Sequence, residues 1–426
     1  MNKFVSIVLG LCVVDVWGFD PLESKYGQLV FSSVIYRHGD RAIYGSYAND
    51  IWADEKYWPM GFGQLTDIGI NQHLELGKWL KERYSDFLPD RYSPEDIYVR
   101  CTDVDRTIVS ALANLKGMYP PIQGQEGRAE NFSQIVPVHT VAEGQDKLYS
   151  LDSCPRYDEE MLKLHNDVDL HKFYRQYDGV FQYIRQKSGL LLYTNFVESN
   201  ITNMLYDALL IESLYNYTLP EWTKQIYPEP LETIVIKNFE LSTYNTVLKK
   251  LRSGPLLKEI VTHMYEKANG MLTPDRKLWV YSNHDFIIAS LLNTMNIYNH
   301  QLVPYAACVM IELRRNSNYN YVVIVSYRND TQRRPYLLHV PGCDAVDCDL
   351  HTFIDVLTPV LSVDRDFECF PEHASDFLEL WFYFSTVILI AVVLTLFSYM
   401  ASDKIAFCFK RRTDYITSSE AIGSQV

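Results

Sequence analysis

The chain has 426 residues, 47% of them hydrophobic and 22% charged, with a formal net charge of −14. This length and apolar content predict one large domain or two ordinary ones and exclude a disordered protein. The negative charge argues against nucleic acid as a partner, because a phosphate backbone is bound by broad basic surfaces.

Residues 1–18 predict a signal peptide. A single lysine precedes the apolar run FVSIVLGLCVV, and Val16 and Gly18 are the small residues expected before a cleavage point. A short buried N-terminal helix is the alternative, and only Asp15 favours it. We therefore expect residues 19–379 to follow the secretory route.

Three apolar runs, QLVFSSVIY, DIYVRC and KLWVYS, predict buried strands, and each is followed by a polar loop and a helical pattern. This alternation predicts an α/β fold with a mixed, mostly parallel sheet and flanking helices. The α/β core would cover residues 27–124 and 241–350. Residues 125–240 are polar, rich in tyrosine and helical in pattern, which predicts an inserted helical cap.

Three helices are expected beside the polar loops. One extends from about Thr66 to Tyr84 after the loop WPMGFGQLT. A second follows TDVDR, with Thr102 as its N-cap, and ends before two prolines at 120 and 121. The third is the run FIIASLLNTM after NHD.

Charged clusters stand where the three predicted strands end, and ligands of open α/β sheets bind at the carboxyl ends of strands. The first cluster is the motif RHGDR at residues 37–41. The others are an arginine in TDVDRT and the pair in NHD. We expect one crevice to contain Arg37, His38, Arg41, Arg106, His284 and Asp285.

Phosphate is the anion that fits this set best. Arginine forks match the charge of a phosphoryl group, and histidine attacks phosphorus as a neutral nucleophile. Arg106 also lies in the first turn of its helix, where the backbone favours an anion. His73 and His139 lack charged neighbours in the sequence, so we interpret them as structural. No metal or other cofactor is predicted, since the chain has no H-x-x-x-H or C-x-x-C spacing.

Cysteines and sequons agree with an oxidising compartment. Apart from the two ends, the chain has an even number of cysteines, whose pairing the residues alone leave open. They are Cys101, Cys154, Cys308, Cys343, Cys348 and Cys369. Four N-x-S/T sequons predict surface glycosylation at Asn131, Asn200, Asn216 and Asn329.

Residues 380–401, LWFYFSTVILIAVVLTLFSYMA, contain no charge and are long enough to span about 30 Å of hydrocarbon. Four basic residues follow, which predicts that residues 402–426 are cytoplasmic. The chain is therefore expected to be a single-pass, type I membrane protein whose residues 19–379 are lumenal or extracellular.

The motifs RHGDR, WPMGFGQLT, RCTDVDRT, YSNHD, PYAAC and YRNDTQ…PGC, in this order, resemble the histidine acid phosphatases, the second branch of the histidine phosphatases, and among these the prostatic and lysosomal type. The likeness covers residues 27–370. It implies a phosphoglycerate mutase-like core, activity in acid, a phosphohistidine on His38 and proton donation by Asp285. It also implies that the phosphoryl oxygens are held by Arg37, Arg41, Arg106 and His284.

The resemblance implies two disulfides, Cys154–Cys369 and Cys343–Cys348. The family's third bridge would join Cys308 to a cysteine at the position of Ile211, so Cys308 lacks its usual partner. A bond between Cys308 and Cys101 stays open at this point.

The tail favours the cell surface over the lysosome. Lysosomal relatives carry a tyrosine followed three residues later by a bulky apolar residue, whereas Tyr415 is followed by Ser418. The C-terminal SQV fits capture by a PDZ domain, and a homodimer is left open.

The first functional hypothesis is a membrane-anchored phosphatase that acts on phosphate monoesters. A second is a specialised inositol-phosphate or phospholipid phosphatase, which a basic cap lining would favour. The third is a surface glycoprotein that acts by binding. It would have lost His38 or Asp285, and both are present.

Overall fold

A computed structural model describes residues 22–121, 134–149, 151, 154–190, 199–330, 333–370 and 380–399. The chain divides into two units, Met1–Cys369 and Phe370–Val426. The expected signal peptide, Asn131, the basic residues after the apolar run, and the tail with its PDZ-type end lie outside the described residues, as does the side chain of Asn200.

The first unit is built on a seven-stranded sheet with the order β2-β3-β1-β4-β5-β6, in which β7 pairs with β5. The three predicted strands are confirmed as β1, β2 and β3. The strands are β1 (Gln28–Arg37), β2 (Ile97–Cys101), β3 (Leu278–Asn283), β4 (Cys308–Arg315), β5 (Tyr321–Arg328), β6 (Tyr336–Leu338) and β7 (Asp347–Asp349).

The sheet is mixed, as predicted, and four of its described strands, β1, β2, β3 and β5, point the same way. Parallel pairing, however, is confined to β1–β3 and β2–β3, and the other described pairs are antiparallel. The strand directions thus agree with the predicted mixed, mostly parallel sheet, whereas most of the hydrogen-bonded pairs are antiparallel. The reason is the short turn between β4 and β5, where Asn316 and Tyr319 hydrogen-bond and no crossover helix fits.

Helices cover both faces of the central strands. The bounds in the core are α1 (Glu23–Tyr26), α2 (Asp67–Arg83), α3 (Asp105–Met118), α10 (Gly254–Ala268), α11 (Asp285–Thr294), α12 (Leu350–Leu357) and α13 (Arg365–Glu368). Alternate residues of β1 face opposite sides: Val34 packs in the apolar cluster with α2 and α3, and Ile35 in the cluster with α10 and α11. Burial on both faces is typical of parallel strands.

The three predicted core helices are present as α2, α3 and α11, and Thr66 caps α2 by accepting a hydrogen bond from the Gly69 N–H. The predicted cap of α3 is wrong. Val104 is its N-cap, and no side chain caps this end. The hydroxyl of Thr102 instead contacts Thr107 at 2.9 Å.

Between residues 125 and 240, the described part of the chain contains helices and no strand. The helices here and just beyond are α4 (Pro155–Lys163), α5 (Val168–Arg175), α6 (Asp178–Ser188), α7 (Ser199–Leu214), α8 (Leu231–Leu241) and α9 (Thr246–Arg252). They pack in two apolar clusters of their own, one around Leu170 and Leu248 and the other around Leu205 and Leu209. Helix α7 also touches the loop after β1 through Ile211.

The two disulfides implied by the resemblance, Cys154–Cys369 and Cys343–Cys348, are formed. Cys101 and Cys308 are free and buried. They occupy the same row of the sheet with two strands between them, so they lie about 14 Å apart at a strand spacing of about 4.8 Å. A bond between them, which the sequence left open, is excluded by the sheet order.

The second unit contains helix α14 (Leu380–Tyr399), whose 20 residues have a mean hydropathy of 2.4 and bury none of that apolar stretch inside the protein. By length and composition, α14 could cross a bilayer.

Candidate active site

The motif RHGDR begins at the carboxyl end of β1, between β3 and β4. The Arg37 N–H donates to the Ala307 carbonyl at 3.0 Å, and the His38 N–H donates to the Asn283 carbonyl at 2.8 Å. The ring Nε2–H of buried His73 donates to the Arg37 carbonyl at 3.0 Å. Neighbouring strands and a core helix therefore fix the backbone of the motif, and His73 is structural, as interpreted from the sequence.

Gly39 is required because the start of α2 lies directly against the motif. A Cβ atom on Gly39 would be 2.4 Å from the Gly69 carbonyl oxygen, and one on Gly69 would be 2.2 Å from the Asp40 carbonyl oxygen. No side chain is accommodated at such distances without displacement of the backbone. The Thr66 N–H also donates to the Asp40 carbonyl at 3.0 Å, which holds the loop against the helix.

All six predicted site residues line one cavity of about 850 Å³. The three strand ends thus meet as the sequence analysis expected. The six are Arg37, His38, Arg41, Arg106, His284 and Asp285.

The ring of His38 is held as a neutral base. Its Nδ1 lies 2.8 Å from the Gly39 carbonyl oxygen, which only accepts, so the ring proton is on Nδ1 and the lone pair is on Nε2. Nε2 makes no hydrogen bond with any residue that the structure describes. Burial, followed by the positive charge of Arg37, lowers the pKa of His38 well below its ordinary value, so the ring stays unprotonated in mild acid.

Asp285 begins α11 and forms a salt bridge with Arg37, whose Nη2 lies 2.8 Å from Oδ2. Its other oxygen accepts a hydrogen bond from the Phe286 N–H at 2.8 Å. Burial opposes ionisation of this carboxyl, but Arg37 and then Arg41 outweigh it and lower the pKa below its ordinary value. In the free protein Asp285 is therefore a carboxylate.

Arg41 is held by a residue that the sequence analysis missed. Its Nη1 and Nη2 donate to the two carboxylate oxygens of Asp207, on α7, at 2.9 and 2.8 Å. Burial opposes the charge of Arg41, and Asp207 overcomes this effect and raises its pKa. An aspartate inside the apolar run NMLYDALLI was the only sequence signal for this contact.

Two further contacts were also missed. The ring of Tyr305 lies 4.1 Å from the Arg37 guanidinium carbon, a cation–π contact. Asp40 accepts hydrogen bonds from the hydroxyls of Thr66 at 2.6 Å and of Tyr215 at 2.7 Å. Tyr215 directly follows α7, so this helix holds the motif at Asp40 as well as at Arg41.

Arg106, in the first turn of α3, has no such partner. No carboxylate in the described part of the chain forms a salt bridge with it, and its buried Nε makes no hydrogen bond. Burial and the nearby Arg41 lower its pKa, although an arginine stays charged. Arg106 is therefore available to an anion in the cavity.

His284 contacts Thr102 through Nε2, 3.0 Å from the hydroxyl oxygen. Burial, then the charge of Arg106, lowers the pKa of His284 to about 3, so this ring is also neutral. Because the Thr102 hydroxyl donates to the Thr107 hydroxyl oxygen at 2.9 Å, it accepts the Nε2–H of His284.

Taken together, three guanidinium groups and two neutral imidazoles surround a space with two carboxylates, each of which is paired with an arginine. Fixed cations around one point stabilise the charge that develops on a transferred phosphoryl group. The described geometry therefore suits phosphoryl transfer to a histidine.

The histidine phosphatase superfamily (branch 2) model matches residues 28–328 of this chain. The chain is 34% identical over 381 residues to the prostatic acid phosphatase of Mus musculus, which covers 87% of this chain and 96% of that protein. It is 34% identical over 374 residues to the lysosomal acid phosphatase of Homo sapiens, which covers 86% of this chain and 84% of the relative.

Among solved structures, the Hafnia alvei phytase in complex with tartrate superposes with a TM-score of 0.60 at 17% identity, covering 81% of this chain and 99% of the phytase. At that identity the likeness shows a shared fold alone. The extent of the family match and the acid phosphatase relatives go further: this chain is a phosphatase that belongs to the second branch of the histidine phosphatase superfamily, whose members act through a phosphohistidine intermediate.

Proposed function

We propose that the chain hydrolyses phosphate monoesters with His38 as the nucleophile and Asp285 as the proton donor. The observation that carries this proposal is the hydrogen bond between His38 Nδ1 and the Gly39 carbonyl. It leaves the lone pair on Nε2, within a cavity lined by the three arginines. A neutral nucleophile beside fixed cations is the arrangement that attack on a phosphate dianion requires.

In the first step, His38 Nε2 forms a bond to phosphorus and the phosphorus–oxygen ester bond breaks. Asp285 in its acid form gives its proton to the leaving oxygen, so that an alcohol departs rather than an alkoxide. Arg37, Arg41, Arg106 and His284 would hold the non-bridging oxygens of the phosphoryl group.

In the second step, water attacks the phosphohistidine. The Asp285 carboxylate formed in the first step takes a proton from this water, the nitrogen–phosphorus bond breaks, and inorganic phosphate is released. The proton returns to Asp285, and His38 Nε2 recovers its lone pair. The two steps together consume one ester and one water and release one alcohol and one inorganic phosphate, so no other reagent is needed.

The salt bridge to Arg37 supports a dependence on acid. Asp285 is ionised in the free protein, yet it must carry a proton when the ester bond breaks. A bound phosphate competes for Arg37 and places negative charge nearby, and both effects raise the pKa of the carboxyl. We therefore expect turnover of alkyl phosphates to fall as the pH rises through the pKa of Asp285 in the complex.

For the compartment, we propose that α14 spans a membrane, with residues 19–379 lumenal or extracellular and 402–426 cytoplasmic. The two formed disulfides support an oxidising location. Exposed Asn216, in a turn with φ of 59°, is a suitable glycan site, and partly exposed Asn329 is another. The cell surface rather than the lysosome stays a prediction from the tail.

The cavity favours a single phosphate ester over a highly phosphorylated inositol. The six site residues form what we call the phosphoryl end of the cavity. Beyond it the lining is mostly apolar, with side chains such as Met161, Met204 and Leu210, and Arg252 is the one cation among the described residues there. A polyanionic substrate would need cations there.

The test is release of inorganic phosphate from 4-nitrophenyl phosphate by the full chain in detergent between pH 4 and 8, with and without a chelator. We expect turnover that is highest in acid, survives the chelator and disappears in His38→Ala. A folded His38→Ala protein that retains turnover would refute the role of His38.

A further inference from the structure

We infer that the substrate's leaving group is an apolar, ring-sized body with a second anionic group, and that Arg252 binds this second anion. This inference rests on the proposed function, because it concerns the organic half of the ester that His38 and Asp285 would cleave.

Four arginines line the cavity, and they fall into two classes. Arg37 and Arg41 each form a salt bridge with a carboxylate at 2.8 Å. Arg106 and Arg252 form no salt bridge with any described carboxylate. Desolvated cations without a carboxylate partner are costly, so each is a place where a ligand's negative charge is stabilising.

The two unpaired cations serve different parts of a ligand. Arg106 lies at the phosphoryl end of the cavity, where burial and Arg41 lower its pKa. Arg252 is the last residue of α9, and its guanidinium lies over the Phe286 ring. One phosphoryl group among the strand ends accounts for Arg106 but leaves Arg252 without an anion.

Two ring contacts set an upper limit on the distance between Arg252 and the phosphoryl end. The Phe286 ring is stacked on His284 at 5.2 Å with an interplanar angle of 4°. The Arg252 guanidinium carbon lies 4.9 Å from the centre of the Phe286 ring. The guanidinium of Arg252 is therefore no more than about 10 Å from the His284 ring at the phosphoryl end. A leaving group the size of one ring bridges this distance.

The cavity also has an apolar wall. Side chains from the cap helices, including Met204, Leu210, Val235 and Phe239, contribute to its lining. Burial of an aromatic or aliphatic body there is favourable by about 25 cal/mol per Å² of apolar surface. Arg252 is steadied by a hydrogen bond from Nη1 to the Tyr149 carbonyl at 3.1 Å, so its charge is fixed beside this space.

An aryl phosphate with a carboxylate para to the ester oxygen combines a phosphoryl group, an apolar ring and a second anion in this order. Standard bond lengths place its carboxyl carbon roughly 7 Å from phosphorus. The matched neutral compound carries a carboxamide of nearly the same shape. The probes are therefore 4-carboxyphenyl phosphate and 4-carbamoylphenyl phosphate.

The experiment measures kcat/KM for both probes with the full chain in detergent, for the wild type, Arg252→Gln, Arg252→Lys and Lys249→Gln. Lys249 is a matched control, because it lies on the same helix and does not line the cavity. The ratio of the two kcat/KM values does not depend on the fraction of each variant that is folded. Comparison of this ratio with that of the wild type removes the difference in intrinsic reactivity between the two leaving groups.

We expect the carboxylate-to-carboxamide ratio to fall about tenfold in Arg252→Gln, the size of one charged hydrogen bond, mostly through KM. Arg252→Lys should keep most of the ratio, and Lys249→Gln should keep all of it. Thermal unfolding of each variant and its turnover of the carboxamide report whether the site is intact.

An unchanged ratio in Arg252→Gln, or an equal loss for both probes, would overturn the inference and leave the proposed function intact. If Arg252→Gln does not fold, Arg252→Met is measured in its place, and an unchanged carboxylate-to-carboxamide ratio in that variant would also overturn the inference. Absence of His38-dependent turnover of either probe would overturn the proposed function, and this inference with it.

Discussion

The two ends of the cavity are built in different ways. At the phosphoryl end, Arg37 and His38 continue a central strand, and hydrogen bonds to both neighbouring strands fix their backbone. At the cap end, helices contribute apolar side chains and a single cation, Arg252. The comparison separates two tasks: the sheet fixes the reacting groups, and the cap determines which ester fits. Four changes test this division, from the largest expected effect to the smallest.

Replacement of the nucleophile should have the largest effect. His38→Ala removes the neutral imidazole that we propose as the nucleophile. The value of kcat/KM should therefore fall by at least about 10³-fold for every ester. His139→Ala, a change of an exposed histidine outside the cavity, should leave the rate unchanged. Phosphate release and thermal unfolding of both variants provide the check.

Loss of the proton donor should depend on the leaving group. Asp285→Asn should lower kcat for an alkyl ester such as glycerol phosphate by about 10²-fold or more, because an alkoxide leaves poorly without a proton. For 4-nitrophenyl phosphate the loss should be much smaller, since its leaving group is already a weak base. Equal losses for the two esters would contradict the role of Asp285, and Asp275→Asn, at an exposed aspartate, is the control.

Loss of the cap's contact with Arg41 should lower activity by an intermediate amount. Asp207→Asn keeps the shape of the carboxylate that holds Arg41 but removes its charge. We expect kcat to fall about tenfold because Arg41 is no longer fixed in place. Inorganic phosphate should inhibit at least as well as before, since a nearby negative charge is gone. Unchanged kcat would show that the sheet alone positions Arg41.

The smallest effect on turnover is expected for the last change, which concerns stability. Glu212, on α7, is buried beside Asp50, and burial, then Asp50, raises its pKa to about 8. Tyr47, also buried, faces the same pair. Because the folded state holds this proton more tightly than the unfolded state, stability is fully present near pH 4.5 and is lost as the pH rises to about 8.

Glu212→Gln stays neutral, so it should lose less stability than the wild type between pH 5 and pH 8, by on the order of 3 kcal/mol. Thermal unfolding at the two pH values measures this difference. Glu221→Gln, at an exposed glutamate, should follow the wild type. Parallel behaviour of Glu212→Gln and the wild type would mean that Glu212 is ionised in the fold.

The phosphoryl end was largely predictable because its residues follow strands directly. RHGDR, TDVDR and NHD each stand beside an apolar run, and parallel strands bring their carboxyl ends together by topology alone. His38, Arg106 and Asp285 could therefore be placed in one crevice from local sequence.

The remaining features depend on contacts that are distant in sequence. Asp207 and Arg252 lie in helices with no motif, and their partners are decided by how the cap packs. The mixed sheet was predicted, but its antiparallel strands were not located. NSNYN between two apolar runs is a hairpin signal, whereas the expectation of a mostly parallel sheet rested on the βα alternation elsewhere.

Helix α7 has a consequence for protein engineering. It supplies Asp207 to Arg41, and the residue just after it, Tyr215, binds Asp40, so both flanks of the motif depend on one cap helix. A chimaera that takes the cap from a relative must therefore import these two positions unchanged, or the borrowed cap will alter the reaction centre as well as its selectivity. Exchange of α4 or α8 alone, while α7 is retained, is the recombination that this architecture tolerates.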